Sequence, residues 1–218
     1  PKSINLIGKS LINDFDYKEM EYGSVKVAPA LRFQHVWEKK SEKNFDSKKF
    51  LVSVVLPFVD NESINILNLI NEIDFNENSD IIVNIKFHPI SNKKMIFKNL
   101  KSNLNKNLTF IEENSKKILD ESNLIISSTS SICLESIVLG VPLIVVRPKS
   151  GLEYNPIPKN ISKNLYKYCN AEDKIINHIK NFMKIKDFKI KYFDELKDLK
   201  NNYFQISSRE EVIKFLDL

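Results

Sequence analysis

The chain has 218 residues, of which 42% are hydrophobic and 28% charged, with a formal net charge of +5. Its apolar residues are evenly spread and sufficient for a buried core, which excludes an intrinsically disordered protein. No apolar run reaches the roughly eighteen residues of a membrane-spanning helix. The positive charge is nearly all lysine interspersed with acidic residues, a pattern that argues against a nucleic-acid-binding protein.

The chain begins without a regular pattern. Residues 1–37 are mixed in character, and residues 38–49 (EKKSEKNFDSKK) are polar and charged, which predicts a linker. The starting Pro1 and the brevity of this part indicate a fragment of a longer protein.

From residue 50 onward, short apolar runs alternate with segments of helical periodicity. The predicted strands are 51–57, 81–87, 107–113, 123–127 and 141–146, and the predicted helices are 60–73, 91–104, 115–122 and 130–140. Asp60 or Asn61 is expected to cap the first of these helices. A loop at 147–158 and two or three helices from Ala171 onward complete the chain. This order predicts an α/β fold, with a Rossmann-like parallel sheet, helices on both faces and extra C-terminal helices.

Both cysteines, Cys133 and Cys169, are interpreted as reduced thiols of a cytoplasmic protein, in the core or near the surface. Neither belongs to a metal-ligand motif. His35 and His178 are assigned no role.

A run of five hydroxyl residues, Ser127 to Ser131, separates a predicted strand from a helix. Ligands of open parallel sheets bind beyond the carboxyl ends of the strands, and a helix start with small hydroxyl residues suits a phosphate. Ser128, Thr129, Ser130 and Ser131 are therefore candidate donor-binding residues. The alternative is one helix cap with loop residues beside it.

Glu135 and His88 are the next candidates. Glu135 lies in an otherwise apolar helix, where it could accept hydrogen bonds from a ribose diol or face solvent. His88 precedes Pro89, which favours an extended conformation at the strand tip, and its imidazole could donate to a phosphate oxygen.

Three basic residues follow strands and are candidates to neutralise a phosphate or a sugar carboxylate: Lys86, Arg147 and Lys149. Arg147 is favoured because its guanidinium fork matches such groups, although a surface ion pair would also explain it. Asp60 is a weaker candidate, since a helix cap explains it.

Three short segments carry a resemblance to a known family: KFHP at 86–89, IISSTSSICLES at 125–136 and LGVPLIVV at 139–146. They resemble the C-terminal, donor-binding lobe of bacterial inverting glycosyltransferases of the two-lobed GT-B type. The pattern is most similar to sialyl-, polysialyl- and Kdo-type capsule or surface-polysaccharide transferases, which use CMP-activated sugars. CDP-glycerol-dependent polymerases share a similar His-Pro and Ser-Ser arrangement. The resemblance covers roughly residues 50–160.

The resemblance implies a role for each matching residue. His88 would bind the donor phosphate and act as the catalytic residue of this lobe, stabilising the leaving group. Ser130 and Ser131 would hold the phosphate or the donor carboxylate, and Glu135 would contact the nucleoside. The loop GLEYNPIP (151–158) would flank the donor.

The resemblance also implies a domain organisation. Residues 1–49 would be the tail of a preceding lobe plus the linker, and residues 50–218 the nucleotide-sugar-binding domain. The general base would come from the other lobe, so the isolated fragment would bind donor without turnover.

The predicted function is donor binding by an inverting glycosyltransferase of bacterial surface polysaccharide biosynthesis, with a CMP-linked sugar as donor. The expected partners are the nucleotide sugar, a glycan or lipid-linked acceptor and the N-terminal lobe of the same enzyme, without nucleic acid. No cofactor and no metal are predicted. The expected location is the cytoplasm, at the inner membrane face if the lysine-rich residues 180–200 contact anionic lipid. The alternatives are a CDP-glycerol-type polyol-phosphate transferase, a nucleotide-sugar epimerase of the same fold and a non-catalytic scaffold domain.

Overall fold

The computed structural model describes residues 4–14, 24–38, 49–148 and 155–216. The chain divides into two compact units. The larger is Glu42–Lys191, and the smaller combines Pro1–Ser41 with Tyr192–Leu218. Residues 192–218, predicted as part of the second domain, belong to the smaller compact unit. The predicted division into residues 1–49 and 50–218 stays a prediction. Most of the predicted linker and residues 149–154 of the predicted loop, Lys149 among them, lie outside the described residues.

The described strands, in chain order, are β1 (Ile4–Leu6), β2 (Val25–Val27), β3 (Phe50–Val55), β4 (Ile81–Lys86), β5 (Leu108–Phe110), β6 (Leu124–Ser127), β7 (Leu143–Val146) and β8 (Tyr166–Cys169). The described α-helices are α1 (Ser10–Asp14), α2 (Asp60–Asn71), α3 (Lys93–Lys98), α4 (Ser115–Glu121), α5 (Ile132–Val138), α6 (Ile175–Met183), α7 (Phe188–Lys191), α8 (Phe193–Tyr203) and α9 (Arg209–Leu216). A 3₁₀ helix spans Leu31–Val36.

In the part of the larger unit that the structure describes, six strands form one sheet in the order β5-β4-β3-β6-β7-β8. Every neighbouring pair is parallel. The predicted fold class, a Rossmann-like parallel sheet with helices around it, is therefore confirmed. All five predicted strands are present, and β8 is an additional one.

Both faces of the sheet are covered. Side chains at alternate strand positions, such as Val52, Val54 and Ile126, join one apolar cluster with residues of α2 and α6. The intervening positions, such as Ile125 and Val145, are also buried, and α5 contacts β6 and β7. Full burial of each such aliphatic side chain stabilises the fold by about 1.5–3 kcal/mol. Two-sided burial explains why these strands read as continuous apolar runs.

The predictions of individual helices differ from the structure at three points. Among the described residues, four helices follow Ala171 (α6 to α9) rather than two or three. The predicted helix 91–104 is much shorter, since α3 ends at Lys98. Neither Asp60 nor Asn61 caps α2. Its N-cap residue is Val59, which makes no side-chain capping hydrogen bond. The Asp60 carboxylate instead accepts a hydrogen bond from the Asn92 backbone N–H (3.3 Å).

The smaller unit joins the two ends of the described chain. The pair β1–β2 is parallel, and α1 contacts α8. Backbone hydrogen bonds run from the Ala30 N–H to the Gln205 carbonyl (3.0 Å) and from the Gln205 N–H to the Ile7 carbonyl (2.5 Å). The rings of Phe33 and Phe204 meet edge to face with centroids 5.0 Å apart. Across the described residues, no helix has both the length and the apolar character needed to cross a membrane.

Candidate functional site

The strand order creates a switch point at β3. From β3 the chain adds β4 and β5 on one side, then returns to place β6, β7 and β8 on the other. Connections leave β3 and β6 in opposite directions at this point, which opens a crevice beyond the carboxyl ends of the strands. The segments at this edge are Leu56–Asp60 after β3, Phe87–Pro89 after β4 and Ser128–Ser131 after β6.

The hydroxyl run begins inside the sheet and emerges into the crevice. The Ser127 hydroxyl donates to the Val55 carbonyl across the β3–β6 pair (2.7 Å). Beyond it, the hydroxyls of Ser128 and Thr129 both donate to one carboxylate oxygen, Glu62 Oε2, at 2.5 and 2.7 Å. Glu62 lies in the first turn of α2. Sequence reasoning missed this residue because its partners lie 66 and 67 positions away.

This arrangement decides which hydrogen bonds the hydroxyls can offer a ligand. Each hydroxyl has one proton and two lone pairs. Because the protons of Ser128 and Thr129 point to the Glu62 carboxylate, neither hydroxyl can donate to a phosphate without leaving Glu62. Ser128 is 2% exposed and holds the loop in place, whereas the half-buried Thr129 hydroxyl presents only lone pairs to the crevice. Thr129 therefore favours a ligand group that donates, such as a sugar hydroxyl.

Ser131 and Glu135 form a second hydroxyl–carboxylate pair. The Ser131 hydroxyl donates to Glu135 Oε1 (3.1 Å) rather than capping α5, although Ser131 occupies the N-cap position. Glu135 is 6% exposed, so it does not face solvent. The α5 helix has seven residues. Ser130 is half-buried, and its backbone N–H donates to the Ser128 carbonyl (3.0 Å).

The thiol beneath this loop is structural. Cys133 is fully buried, and its thiol donates to the Ser128 carbonyl (3.1 Å). Burial raises the pKa of the Cys133 thiol to about 12. Both cysteines are free and buried, as expected for core thiols.

His88 lies on the β4 side of the switch point. Its Nδ1 accepts a long hydrogen bond from the Ile90 N–H (3.4 Å), and the exposed Phe58 ring packs edge-on against the imidazole at 6.3 Å. A neutral imidazole whose Nδ1 accepts carries its proton on Nε2. Nε2–H is then the donor that His88 can offer to a ligand, as a phosphate contact requires.

The first turn of α2 links the loops on either side of β3. Asp60 accepts from the Asn92 N–H in the β4–α3 loop, while Glu62 accepts from the β6–α5 loop. The structure thus connects the His88 side and the serine side of the crevice through two carboxylates of one helix. The sequence identified the flanking loops but not this link.

The two basic candidates point away from the switch point. Lys86 donates through Nζ to the Glu113 carbonyl on the β5 side. The Arg147 guanidinium lies over the Tyr168 ring at 4.1 Å on the β8 side, and its backbone carbonyl accepts from Asn65 Nδ2 (3.3 Å). Both residues lie at the carboxyl edge of the sheet. Lys86 ends β4 and Arg147 follows β7, the strands on the outer sides of the β3–β6 pair at the crevice.

A buried amide oxygen at this edge has no hydrogen-bond partner among the described residues. Asn65 is 8% exposed, and its Oδ1 has no hydrogen bond. It lies one helical turn after Glu62, on the α2 surface that meets the end of β7. Buried polar atoms nearly always have partners, so an orphan oxygen calls for a water or a ligand donor.

No protein-family model matches the chain, and no curated protein matches it. Several solved structures, however, share its fold. The UDP-GlcNAc 2-epimerase of Methanocaldococcus jannaschii, solved with UDP-GlcNAc and UDP, superposes with a TM-score of 0.60 at 16% identity, over 99% of this chain and 60% of its own. MnaA of S. aureus, solved with UDP, gives a TM-score of 0.60 at 12% identity over the same shares of the two chains.

A third neighbour is the glycotransferase of kitacinnamycin, with a TM-score of 0.55 at 12% identity, over 98% of this chain and 51% of its own. The present chain thus spans 60% of the length of the first two proteins and about half of the third. Identities this low establish a shared fold and nothing finer. The chain has the Rossmann-like α/β architecture of a GT-B-type lobe, the fold of these glycosyltransferase and epimerase neighbours.

Proposed function

We propose that the larger unit binds a nucleotide-activated sugar, as the donor-binding part of an inverting glycosyltransferase of bacterial surface polysaccharide biosynthesis. A CMP-linked sugar is the proposed donor, on the motif resemblance of KFHP and the serine run. The solved neighbours contain UDP or UDP-GlcNAc, so the base is the part of the proposal that an experiment must decide first.

The observation that carries the proposal is the pair of hydroxyl–carboxylate clusters at the switch point. Glu62 with Ser128 and Thr129, and Glu135 with Ser131, place carboxylate and hydroxyl acceptors together at the carboxyl edge. A nucleotide sugar carries many hydroxyl donors, on the ribose and on the sugar, and such donors match these acceptors. A phosphate placed directly against Glu62 or Glu135 would be repelled, so the phosphate of the nucleotide must lie away from both carboxylates.

The phosphate then needs donors from elsewhere at the same edge. We assign it to His88 Nε2–H on one side of β3 and to the hydroxyl of Ser130 on the other. Ser131 can join if its hydroxyl leaves Glu135. Glu135 is proposed to accept from the ribose diol, while Arg147 and Lys86 contribute positive potential from the flanking strands.

In the proposed reaction the acceptor hydroxyl attacks the anomeric carbon in line with the departing nucleotide, and the configuration inverts. The bond between the sugar and the nucleotide phosphate breaks, and its electrons stay on the phosphate. His88, as the proposed catalytic residue of this lobe, stabilises that charge by donating from Nε2. The base that takes the acceptor proton is assigned to another lobe, and the step needs no metal.

A nucleotide-sugar epimerase is the second candidate. The observation that favours it is the fold likeness at a TM-score of 0.60 to a UDP-GlcNAc 2-epimerase. The bound nucleotide bears on the choice, because this epimerase was solved with UDP, whereas the proposed transferase takes a cytidine nucleotide.

The test is a thermal-shift panel with CMP, CDP, UMP, UDP, GDP and cytidine, on the chain itself and on His88→Ala. A ligand at a hundredfold excess over its Kd adds about 2.7 kcal/mol of stability, which for this size raises Tm by about 5–10 °C. We expect CMP to raise the Tm more than cytidine does. In His88→Ala, the Tm shift with CMP should fall to that with cytidine. His35→Ala, in the smaller unit, is the matched control and should keep the full shift.

Three results would contradict the proposal or part of it. A shift with UDP but not with CMP would contradict the cytidine-linked donor and favour the epimerase candidate. Equal shifts in the chain and in His88→Ala would remove the assignment of His88 to the phosphate. No shift with any nucleotide would leave the fold without the proposed ligand.

A further inference from the structure

A cluster of three potential metal ligands lies at the corner between β8 and α6. Cys169 is the last residue of β8, Asp173 precedes α6, and His178 lies inside that helix. One potential ligand atom of each (the Cys169 sulfur, a carboxylate oxygen and an imidazole nitrogen) lies within 4.8 Å of the other two. His178 Nε2 and Asp173 Oδ2 are 3.8 Å apart. All three residues belong to the larger unit.

The turn between strand and helix is held by hydrogen bonds that orient the carboxylate. Asp173 Oδ2 accepts from the backbone N–H of Asn170 (2.7 Å) and from its side-chain Nδ2 (3.1 Å). The Asp173 N–H in turn donates to the Asn170 carbonyl (3.2 Å). Carboxylates that ligate metals are commonly fixed in this way by a second layer of donors.

The helix positions the imidazole. Ile175 and Ile179 are buried and anchor one side of α6 to the sheet. His178, one helical turn after Ile175, is held beside that anchored side and close to the end of β8. Its side chain is 23% exposed and that of Asp173 33% exposed, while Cys169 is fully buried. The cluster therefore has a closed sulfur side and an open nitrogen–oxygen side through which an ion can enter.

We propose that Cys169, Asp173 and His178 form a binding site for a divalent transition-metal ion, with Zn²⁺ as the best match. Thiolate, imidazole and carboxylate are the three ligand types that Zn²⁺ takes in proteins, whereas Ca²⁺ and Mg²⁺ bind oxygen ligands. Tetrahedral zinc bonds of about 2.0 Å to nitrogen and oxygen and about 2.3 Å to sulfur place the nitrogen and oxygen about 3.3 Å apart and the sulfur about 3.5 Å from each. The 3.8 Å between His178 Nε2 and Asp173 Oδ2 must therefore shorten by about 0.5 Å. The sulfur lies within 4.8 Å of both atoms and must approach them by about 1.3 Å at most.

Three protein ligands leave one position of the tetrahedron for water. On binding, the sulfur–metal bond replaces the S–H bond, and the thiol proton goes to solvent. The site lies one strand beyond Arg147, whose backbone N–H donates to the Cys169 carbonyl (2.9 Å). It uses none of the proposed donor-binding side chains and does not depend on the proposed function. The metal independence predicted for sugar transfer concerns different residues.

The competing explanation is an ion pair of Asp173 with His178 beside a core thiol. It predicts no sulfur–metal bond, which is what the experiment should detect. The tag-free reduced chain is titrated with Co²⁺ and followed by absorption, then with Zn²⁺ in competition. We expect a thiolate-to-cobalt charge-transfer band that saturates at one equivalent, is displaced by Zn²⁺, and is accompanied by a rise in Tm.

The variants are Cys169→Ser, His178→Gln and the control Cys133→Ser, which removes the other buried thiol. Cys169→Ser should abolish the band, and His178→Gln should weaken cobalt binding more than tenfold, since even outer-layer partners are worth 10–100-fold. Cys133→Ser should keep both the band and the affinity. His178→Gln changes a partly exposed side chain and serves as the test if Cys169→Ser does not fold. No band in the unaltered chain, a band that survives in Cys169→Ser, or unchanged affinity in His178→Gln would overturn the proposal.

Discussion

Replacing Glu62 with alanine should destabilise the larger unit, although the residue lies at its surface edge. The substitution removes the single oxygen that accepts both the Ser128 and Thr129 hydroxyls, at 2.5 and 2.7 Å. Ser128 is 2% exposed, so water cannot replace the lost partner. Thr129 is half-buried and can be hydrated.

The size of the expected loss of stability follows from how far Ser128 and Thr129 are exposed to solvent. A buried hydroxyl without a partner costs about 1–3 kcal/mol, and a hydrated one costs little. We expect Glu62→Ala to lower the free energy of unfolding by about 2 kcal/mol, which corresponds to a Tm about 4–8 °C lower for a chain of this size. Glu62→Gln keeps one acceptor oxygen without the charge, and should lose about half as much.

Urea denaturation of a double-mutant cycle measures the interaction itself. The cycle compares Glu62→Ala, Ser128→Ala and the double variant, and contact between the two side chains predicts a coupling of about 1–2 kcal/mol. Glu72→Ala, an exposed glutamate just after the same helix, is the control and should stay within about 0.5 kcal/mol. If Glu62→Ala behaves like Glu72→Ala, or if the two single losses add, the carboxylate does not hold the serine loop.

Three further perturbations test other parts of the structure. A Cβ at Gly8 would lie 2.3 Å from the Tyr203 carbonyl oxygen, so Gly8→Ala should lower Tm and speed amide exchange at the end of α8; unchanged exchange would contradict that contact. Burial raises the pKa of Cys133 to about 12, above about 8.5 in an unfolded chain. The stability this gives is full below about pH 8.5 and is lost as pH rises towards 12, so urea denaturation should show a steeper alkaline loss than in Cys133→Ala. Arg147→Lys gives up the planar contact with Tyr168 at 4.1 Å and should cost about 0.5–1 kcal/mol in the same assay; no loss would mean that the stacking contributes nothing.

The fold could be predicted because its strands are buried on both faces. Runs such as residues 51–57 and 141–146 contain nearly uninterrupted apolar residues and alternate with helical segments, which is the pattern of a parallel sheet between helices. The strand β8 was not predicted because it lacks such a continuous apolar run. It lies at the edge of the sheet, and only its two end residues are buried, so the sequence YKYC is too short and too polar in its middle to distinguish from a loop.

The candidate site was predictable in position but not in detail. The serine run and the His-Pro step follow strands, so the edge at which they lie was fixed by topology alone. The hydrogen-bond partners were not, because the Glu62 contacts join residues 66 and 67 positions apart. In the same way, Asp60 looked like a helix cap from local spacing, yet its carboxylate accepts from Asn92, 32 positions away.

The composition of the smaller unit has a consequence for how the chain is synthesised. Phe33 packs against Phe204, and Ala30 is buried with its N–H on the Gln205 carbonyl, so residues 30–33 meet these partners only after residues 204–205 have left the ribosome. At about 5–20 residues per second, the intervening unit delays this by about 8–30 s. During that interval the larger unit is free to fold by itself, while the apolar surface around Phe33 stays available to chaperones and to aggregation. Premature termination before α8 would make that exposure permanent, so truncated products should be cleared or precipitate rather than accumulate as folded protein.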